Sequence, residues 1–476
     1  MKRKVYAVML ACLIMVFSFS GCKSDASKDA SGTSSKPTSS ETIPQGDDSS
    51  NAESIDSSVS DVSAPESDTD QSSKLTESTR SIPAISSQTT ASSHNRVIVS
   101  APSDSSKNMQ EALLEFDNPR GLFGEISINI IGDSISQGLN SEKLYDNSWA
   151  ALFKKAIGNR FDAYNIGYTS LNCEDISSGY TNREIHTVTS QSGTWNRFSH
   201  STCKTTPGNC RYESPADSGT DSTLRISLDR NKDGIDRHIN GFYIYYTAGT
   251  EYGSFEVKIN GNVVATVNCV SEILNECARS KYIALPAGCG NELTIDIVKE
   301  ETDKKVSVNG ISYIDKPNTV TVNNYSLSAI KLNDYDDALL EKLCQANIVI
   351  FTLGTNDVYG AIKPNLFVRK LEIVKKACKE NGSILIVGDV IWPRDYDVNF
   401  GSRYKAALKA CAEEANGYYI DFCTLYAENP SSFLSDNIAE PKDENGNYPK
   451  DPSHPSIEGH RLMADKLCEF FGLKLK

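Results

Sequence analysis

Four groups in this 476-residue chain have the types and spacing for acyl-transfer chemistry. Ser134 follows Ile131-Gly132-Asp133, just past the apolar run Ile126, Ile128, Ile130 and Ile131. A serine past the C-terminal end of a strand stands where an open α/β sheet keeps its reactive groups. Its hydroxyl needs a base to attack an acyl carbon at neutral pH. His454, in Asp451-Pro452-Ser453-His454-Pro455, is the candidate base, and Asp451 is close enough along the loop to accept its other ring N–H and fix the tautomer. The oxyanion made by attack needs preorganised donors. Asn356, in Leu353-Gly354-Thr355-Asn356-Asp357, offers a side-chain amide directly after a strand pattern.

Those groups must be positioned by strand ends, and the periodicity supplies them. Helical spacing marks Trp149, Leu152, Phe153, Ala156 and Ile157. Asp162 to Gly167 reads as a short strand. After about Pro317 strands and helices alternate. Strands are expected over Val320–Asn324, Ile348–Leu353, Ile384–Val390 and Tyr418–Phe422. Helices are expected over Asp334–Gln345, Leu366–Glu380, Tyr404–Ala415 and Ser456–Phe471. Asn381-Gly382 and Asn416-Gly417 are helix stops. About five parallel strands flanked by helices predict an α/β, flavodoxin-like doubly wound parallel sheet.

Between about Leu171 and Asp315 the period drops to two. Leu224, Ile226 and Leu228 alternate with polar residues, as do Phe255, Val257 and Ile259, and Val263, Ala265 and Val267. Asn260-Gly261 between the last two sets signals a hairpin. The pattern predicts a β-sandwich set inside the α/β domain. The expected organisation is 1–21 signal, 22–95 tether, 96–175 first part of the α/β domain, 176–317 inserted sandwich and 318–476 second part.

Together the serine block, the Gly-x-Asn-Asp block and the C-terminal Asp-x-x-His resemble the SGNH, or GDSL, hydrolase superfamily of esterases. The resemblance runs from about Ile126 to Leu473, outside the insertion. It implies Ser134, Asp451 and His454 as the catalytic triad. It implies an oxyanion hole from the Ser134 N–H, a glycine-block N–H and the Asn356 amide. The chain departs from the family at the glycine block, where Asn324-Tyr325-Ser326-Leu327-Ser328-Ala329 puts Ala329 in the glycine's place; Gly167 is the rival donor. The absence of Gly-x-Ser-x-Gly argues against the ordinary α/β-hydrolase fold. His460 reads as structural, and no cofactor or metal is implied. Asp229-x-Asn231-x-Asp233-Gly234-x-Asp236 resembles half a calcium loop, but Asn240 stands where a bidentate glutamate belongs, so a plain turn is preferred.

The amino terminus places the chain. Met1 to Lys4 is basic, Val5 to Phe19 apolar, and Phe19-Ser20-Gly21-Cys22 resembles a lipobox with Cys22 as the acylated residue. Lys23 to Asn95, rich in Ser, Thr and Asp, cannot bury enough apolar surface to fold. As a tether it would span roughly 50 Å on average and about 250 Å fully extended. A net charge of −14 and the lack of a basic patch exclude nucleic acid as partner. Of thirteen cysteines, Cys344, Cys378, Cys411 and Cys468 read as core residues; Cys203 with Cys210, and one pair among Cys269, Cys277 and Cys289, are bridge candidates. The expectation is an extracytoplasmic esterase, lipid-anchored to a bacterial membrane, that removes acyl groups, above all acetyl, from a polysaccharide. Trp392 near the active-site face, and Trp195, Tyr243, Tyr245 and Tyr252 in the sandwich, are candidates to stack on sugars. The alternatives are a non-catalytic glycan-binding surface lipoprotein, or an acyltransferase or lipase on the same fold.

Overall fold

The computed structural model describes residues 126–141, 144–161, 165–171, 185–199, 205–231, 237–273, 276–316, 319–391, 401–436, 444, 450–451 and 453–475. The signal and tether expectations, including Cys22, therefore lie outside the described residues, as do Trp392, Cys203 and residues 233–236 of the acidic loop.

Strands β1 (Ile126–Gly132), β13 (Val320–Asn324), β14 (Ile348–Thr352), β15 (Ile384–Asp389) and β16 (Tyr418–Asp421) form one sheet in the order β13-β1-β14-β15-β16. Every pairing in it is parallel. Counted along this sheet's own strands, the order is 2-1-3-4-5, that of the flavodoxin-like doubly wound class. Both faces are covered, which is why these strands read as nearly continuous apolar runs. Ile128 and Ile130 face a core shared with Trp149, Phe153, Met463 and Leu467. Ile131 faces the opposite core, with Leu340, Leu371, Val374 and Leu408. The first core is closed by helices Trp149–Phe161 and Ile457–Phe470, and the second by Asp337–Leu343, Pro364–Asn381 and Ser402–Glu414. Gly382, in the left-handed region, ends the Pro364–Asn381 helix.

Between the parallel sheet's first two strands the chain makes two antiparallel sheets. One contains β3 (His186–Ser192), β6 (Thr223–Asp229), β11 (Glu292–Lys299), β8 (Phe255–Ile259) and β9 (Asn262–Val267), in that order. The other runs β10 (Glu276–Ala284), β7 (Gly241–Ala248), β12 (Val306–Ile314), β5 (Cys210–Ser214) and β4 (Asn196–Ser199). Leu224, Ile226 and Leu228 from the first meet Phe242, Ile244 and Val308 from the second in one apolar core. Asn260 and Gly261 both take positive φ and turn β8 into β9, which suits the twist of a two-residue hairpin. β9 is an edge strand, so Val263 stays largely exposed while Val267 is buried.

Several expectations change. Of the strand expected at Asp162–Gly167, residues 162–164 lie outside the described residues; at its end the strand β2 (Gly167–Thr169) begins, and it pairs antiparallel with β12 rather than joining the parallel sheet. Tyr243 and Tyr252 are buried, and Tyr245 packs edge-on against Tyr168, so these rings serve packing and leave no open sugar platform. Trp195 packs against the core between the two antiparallel sheets. Cys269 and Cys289 are unbridged thiols, which removes every pairing among Cys269, Cys277 and Cys289. Cys344, Cys378, Cys411 and Cys468 are buried, as core residues should be.

β2 is held to β13 by close backbone approach. A Cβ on Gly167, whose φ is +73°, would stand 2.1 Å from the Val322 carbonyl oxygen. The Tyr168 N–H donates to Asn323 Oδ1 at 3.0 Å, and Asn323 Nδ2 donates to Asn129 Oδ1 on β1. Gly167→Ala combines a forbidden contact with a left-handed torsion. It is expected to lower unfolding free energy by at least about 2 kcal/mol, read from the shift in urea midpoint.

Candidate active site

β1 and β14 end side by side, with Gly132 in register with Thr352. A Cβ on Gly132 would lie 2.4 Å from Thr352 Oγ1 and 2.5 Å from Ser136 Cβ, so only glycine lets the next turn fold back here. That turn is the short helix Ser134–Gln137. Asp133 caps it, its Oδ1 accepting the Ile135 N–H at 3.0 Å. Gly138, at φ +108°, ends it. Ser134 is thus the first helical residue, where backbone N–H groups have no intrahelical acceptor.

The C-terminal loop reaches the same edge. A two-strand ladder pairs Ser435 with Asp451 and sets the carboxylate in place. Asp451 accepts the His454 Nδ1–H at 2.7 Å. His454 Nε2 is left as an acceptor and lies 2.9 Å from the Ser134 hydroxyl. Asp451 also accepts from the Ser453 N–H and from Asn140 Nδ2, at 2.7 and 2.9 Å. Burial alone would raise this carboxyl; the hydrogen bond and charge of His454, with the Ser453 and Asn140 donors, outweigh it and hold the group at about 2. Asn140 carries no motif in the sequence. Its signal is conformational: it takes φ +65°, which asparagine tolerates, just after the left-handed Gly138.

His460 is fully buried, as a structural residue would be. Its Nε2–H donates to the Leu139 carbonyl at 2.8 Å, and its Nδ1 accepts the Trp149 N–H at 3.4 Å. It ties the last helix to the segment carrying Asn140. Desolvation keeps this imidazole neutral, with its pKa down at about 4.

After β13 the chain passes in front of the serine turn. The Leu327 N–H donates to the Gly132 carbonyl at 3.2 Å, and Ser328 N–H to Gln137 Oε1 at 2.7 Å. Ala329 follows, exposed, at φ +60°. Asn356 Nδ2 donates to the Ile330 carbonyl at 3.0 Å, so the Asn356 helix and the Ala329 stretch hold each other. Asp357, fully buried, accepts the Leu332 N–H at 3.0 Å and closes the same turn. Gly354, at φ +140°, starts the Asn356 helix where a Cβ would meet Ile391. The structure thus brings Ser134, Asp451 and His454 into one hydrogen-bonded line, with Ala329 on the stretch that passes in front of the serine turn and Asn356 in the helix that stretch is bonded to. Gly167, the rival, lies against the middle of β13.

No protein-family model matches this chain, and no curated protein does. Solved structures similar to it include a peptidoglycan O-acetylesterase. That one is 14% identical, covers 77% of this chain and 94% of its own, and has a TM-score of 0.47. A family two carbohydrate esterase from Clostridium thermocellum, in complex with cellohexaose, is 12% identical over 54% of this chain and 92% of its own, at a TM-score of 0.22. The salicylyl-acyltransferase SsfX3 from a tetracycline biosynthetic pathway is 12% identical over 60% and 96%, at 0.26.

Among the described residues one cluster has metal-ligating types: Asp389, Asp421 and Cys423, at the ends of β15 and β16. Its atoms are already engaged. Asp389 accepts from the Ile391 N–H and the Tyr419 hydroxyl, Asp421 from Thr424, and Lys405 Nζ donates to Cys423 Sγ at 2.7 Å. A cation there would have to displace a lysine.

Behind the serine turn lies a group of buried oxygens. Asp133 Oδ2, Asp357 Oδ1 and the Tyr335 hydroxyl each have no hydrogen-bond partner. Burial pushes the Asp133 carboxyl up to about 7, against the Ile135 N–H and the charge of His454. Asp357 rises to about 6 for the same first reason.

Because folding raises the Asp133 pKa, the native state holds a proton that the unfolded chain releases near pH 4. Its contribution is therefore full below about pH 4 and fades as pH rises towards 7. Asp133→Asn keeps the capping oxygen and cannot titrate. The stability of wild type minus that of Asp133→Asn is expected to fall between pH 4 and 8, measured by urea melts; a flat difference contradicts it. Ala329→Gly relieves a left-handed alanine and is expected to gain about 1 kcal/mol in the same melts.

Proposed function

We propose that the protein is a serine esterase of the SGNH hydrolase type, cofactor-free at its active site. The carrying observation is the continuous line from Asp451 through His454 to the Ser134 hydroxyl, at 2.7 and 2.9 Å. Ser134 Oγ attacks the acyl carbon while its proton passes to His454 Nε2. The imidazolium is stabilised by Asp451, whose carboxylate stays ionised through the working range. The oxyanion takes hydrogen bonds from the Ser134 N–H, the Ala329 N–H and the second Asn356 amide hydrogen. His454 then protonates the departing alcohol. Water repeats the sequence on the acyl-enzyme and frees the acid and Ser134.

The substrate reading is an acyl, above all acetyl, ester on a carbohydrate. The two antiparallel sheets between β2 and β13 are read as an inserted β-sandwich that flanks the catalytic edge. In this proposal Cys22 carries lipid, residues 22–95 are the tether, and the enzyme works outside the cytoplasm on polysaccharide near the membrane. Among the described residues no helix is long and apolar enough to cross a bilayer.

Purified residues 96–476 should hydrolyse p-nitrophenyl acetate. Ser134→Ala should lower kcat by about a thousandfold or more. Asn356→Ala should lower it by about 100- to 1,000-fold. No turnover by the wild type, or undiminished turnover by Ser134→Ala, would favour a glycan-binding lipoprotein instead.

A further inference from the structure

One turn beyond Ser134, a cavity of about 100 Å³ opens between the Trp149–Phe161 helix, β2 and the end of β13. Gln137, Lys154, Ser170, Arg237, Asn324 and Ser326 line it, and no carboxylate does among the described residues. Its wall is continuous with the catalytic machinery. Asn324 Nδ2 donates to the Ser136 carbonyl at 2.8 Å, and Gln137 Oε1 accepts the Ser328 N–H.

Two observations give the cavity a chemical preference. Lys154 Nζ donates to the Ile166 carbonyl, and among the described residues no carboxylate neighbour accompanies it. Desolvation pulls its pKa down to about 8, so an anion beside it would stabilise its charged form. Independently, the Ser326 hydroxyl, in a residue 8% exposed, has no hydrogen-bond partner and faces this space. A buried hydroxyl without a partner costs free energy that an acceptor would recover. A water needs about 10–15 Å³ of such space, so the cavity has room for a carboxylate.

We propose that this cavity is an anion subsite that receives a carboxylate borne by the ester substrate, with Lys154 as counter-ion and the Ser326 hydroxyl as donor. The proposal rests on the esterase reading and deepens it: the acyl-bearing sugar is acidic.

The test separates the two claims by measuring binding without turnover. Ser134→Ala protein is titrated by NMR with sodium glucuronate, with the neutral methyl ester of glucuronate, and with inorganic phosphate. Glucuronate should bind at least about tenfold more tightly than the methyl ester, the scale of one charge-assisted contact. Lys154→Gln in that background should erase the preference, Lys154→Arg should retain part of it, and Ser326→Ala should weaken glucuronate severalfold. Circular dichroism confirms that each variant is folded, and the Arg and Ala variants keep the test alive should Lys154→Gln not fold. Equal binding of acid and ester, an undiminished preference in Lys154→Gln, or tighter binding of phosphate than of glucuronate would overturn the subsite. Wild-type turnover of p-nitrophenyl acetate is read separately, so loss of the esterase reading with glucuronate binding intact is distinguishable from loss of the subsite alone.

Discussion

The arrangement depends on how closely two strands can approach where they end. Gly132 and Thr352 sit in register at the C-terminal edge of the parallel sheet, and Ser136 folds back onto both. Any side chain at 132 would push the Ser134 turn off the strand or the strands apart. From this contact follow the position of Ser134 past β1, the position of Asn356 past β14, and the path of the 327–330 stretch between them. The histidine loop then needs only to reach one fixed point, and a short ladder with Asn140 as anchor brings it there.

The same closeness has an electrostatic cost. Asp133 must cap the serine turn from inside the fold, where its second oxygen has no partner. A carboxyl in that position holds its proton into the neutral range. The site therefore contains two aspartates with opposite tuning. Asp451, multiply hydrogen-bonded and partly solvated, stays ionised, while Asp133, desolvated, does not. Environment alone separates their behaviour.

Much of this was legible in the chain. Continuous apolar runs ending in Gly132, Asn324, Thr352 and Asp389 mark strands buried on both faces, and period-two alternation in Leu224 to Leu228 marks strands with one open face. The serine, histidine and aspartate could be paired because each stands in a short local block. What the sequence hid was whatever depends on long-range approach. Asn140 belongs to no block and is recruited by a carboxylate 311 residues away. The strand after Asp162 looked like part of the alternating α/β pattern, yet Gly167 and Tyr168 join the antiparallel layer because β12 offers them a free edge. The tyrosines of β7 looked available because alternation cannot tell an outer face from one covered by a neighbouring layer.

β1 finds its first parallel neighbour only after a long detour: the Asn129–Asn323 contact spans 194 residues. Long-range pairings of this kind slow folding, because chain entropy is lost before contacts repay it. Here the detour shortens itself. Once its sheets condense, β2 lies against β12, Gly167 beside Tyr313, and the two ends of the excursion come out next to each other. A condensed excursion therefore presents the parallel sheet with a short bridge to close in place of a long loop.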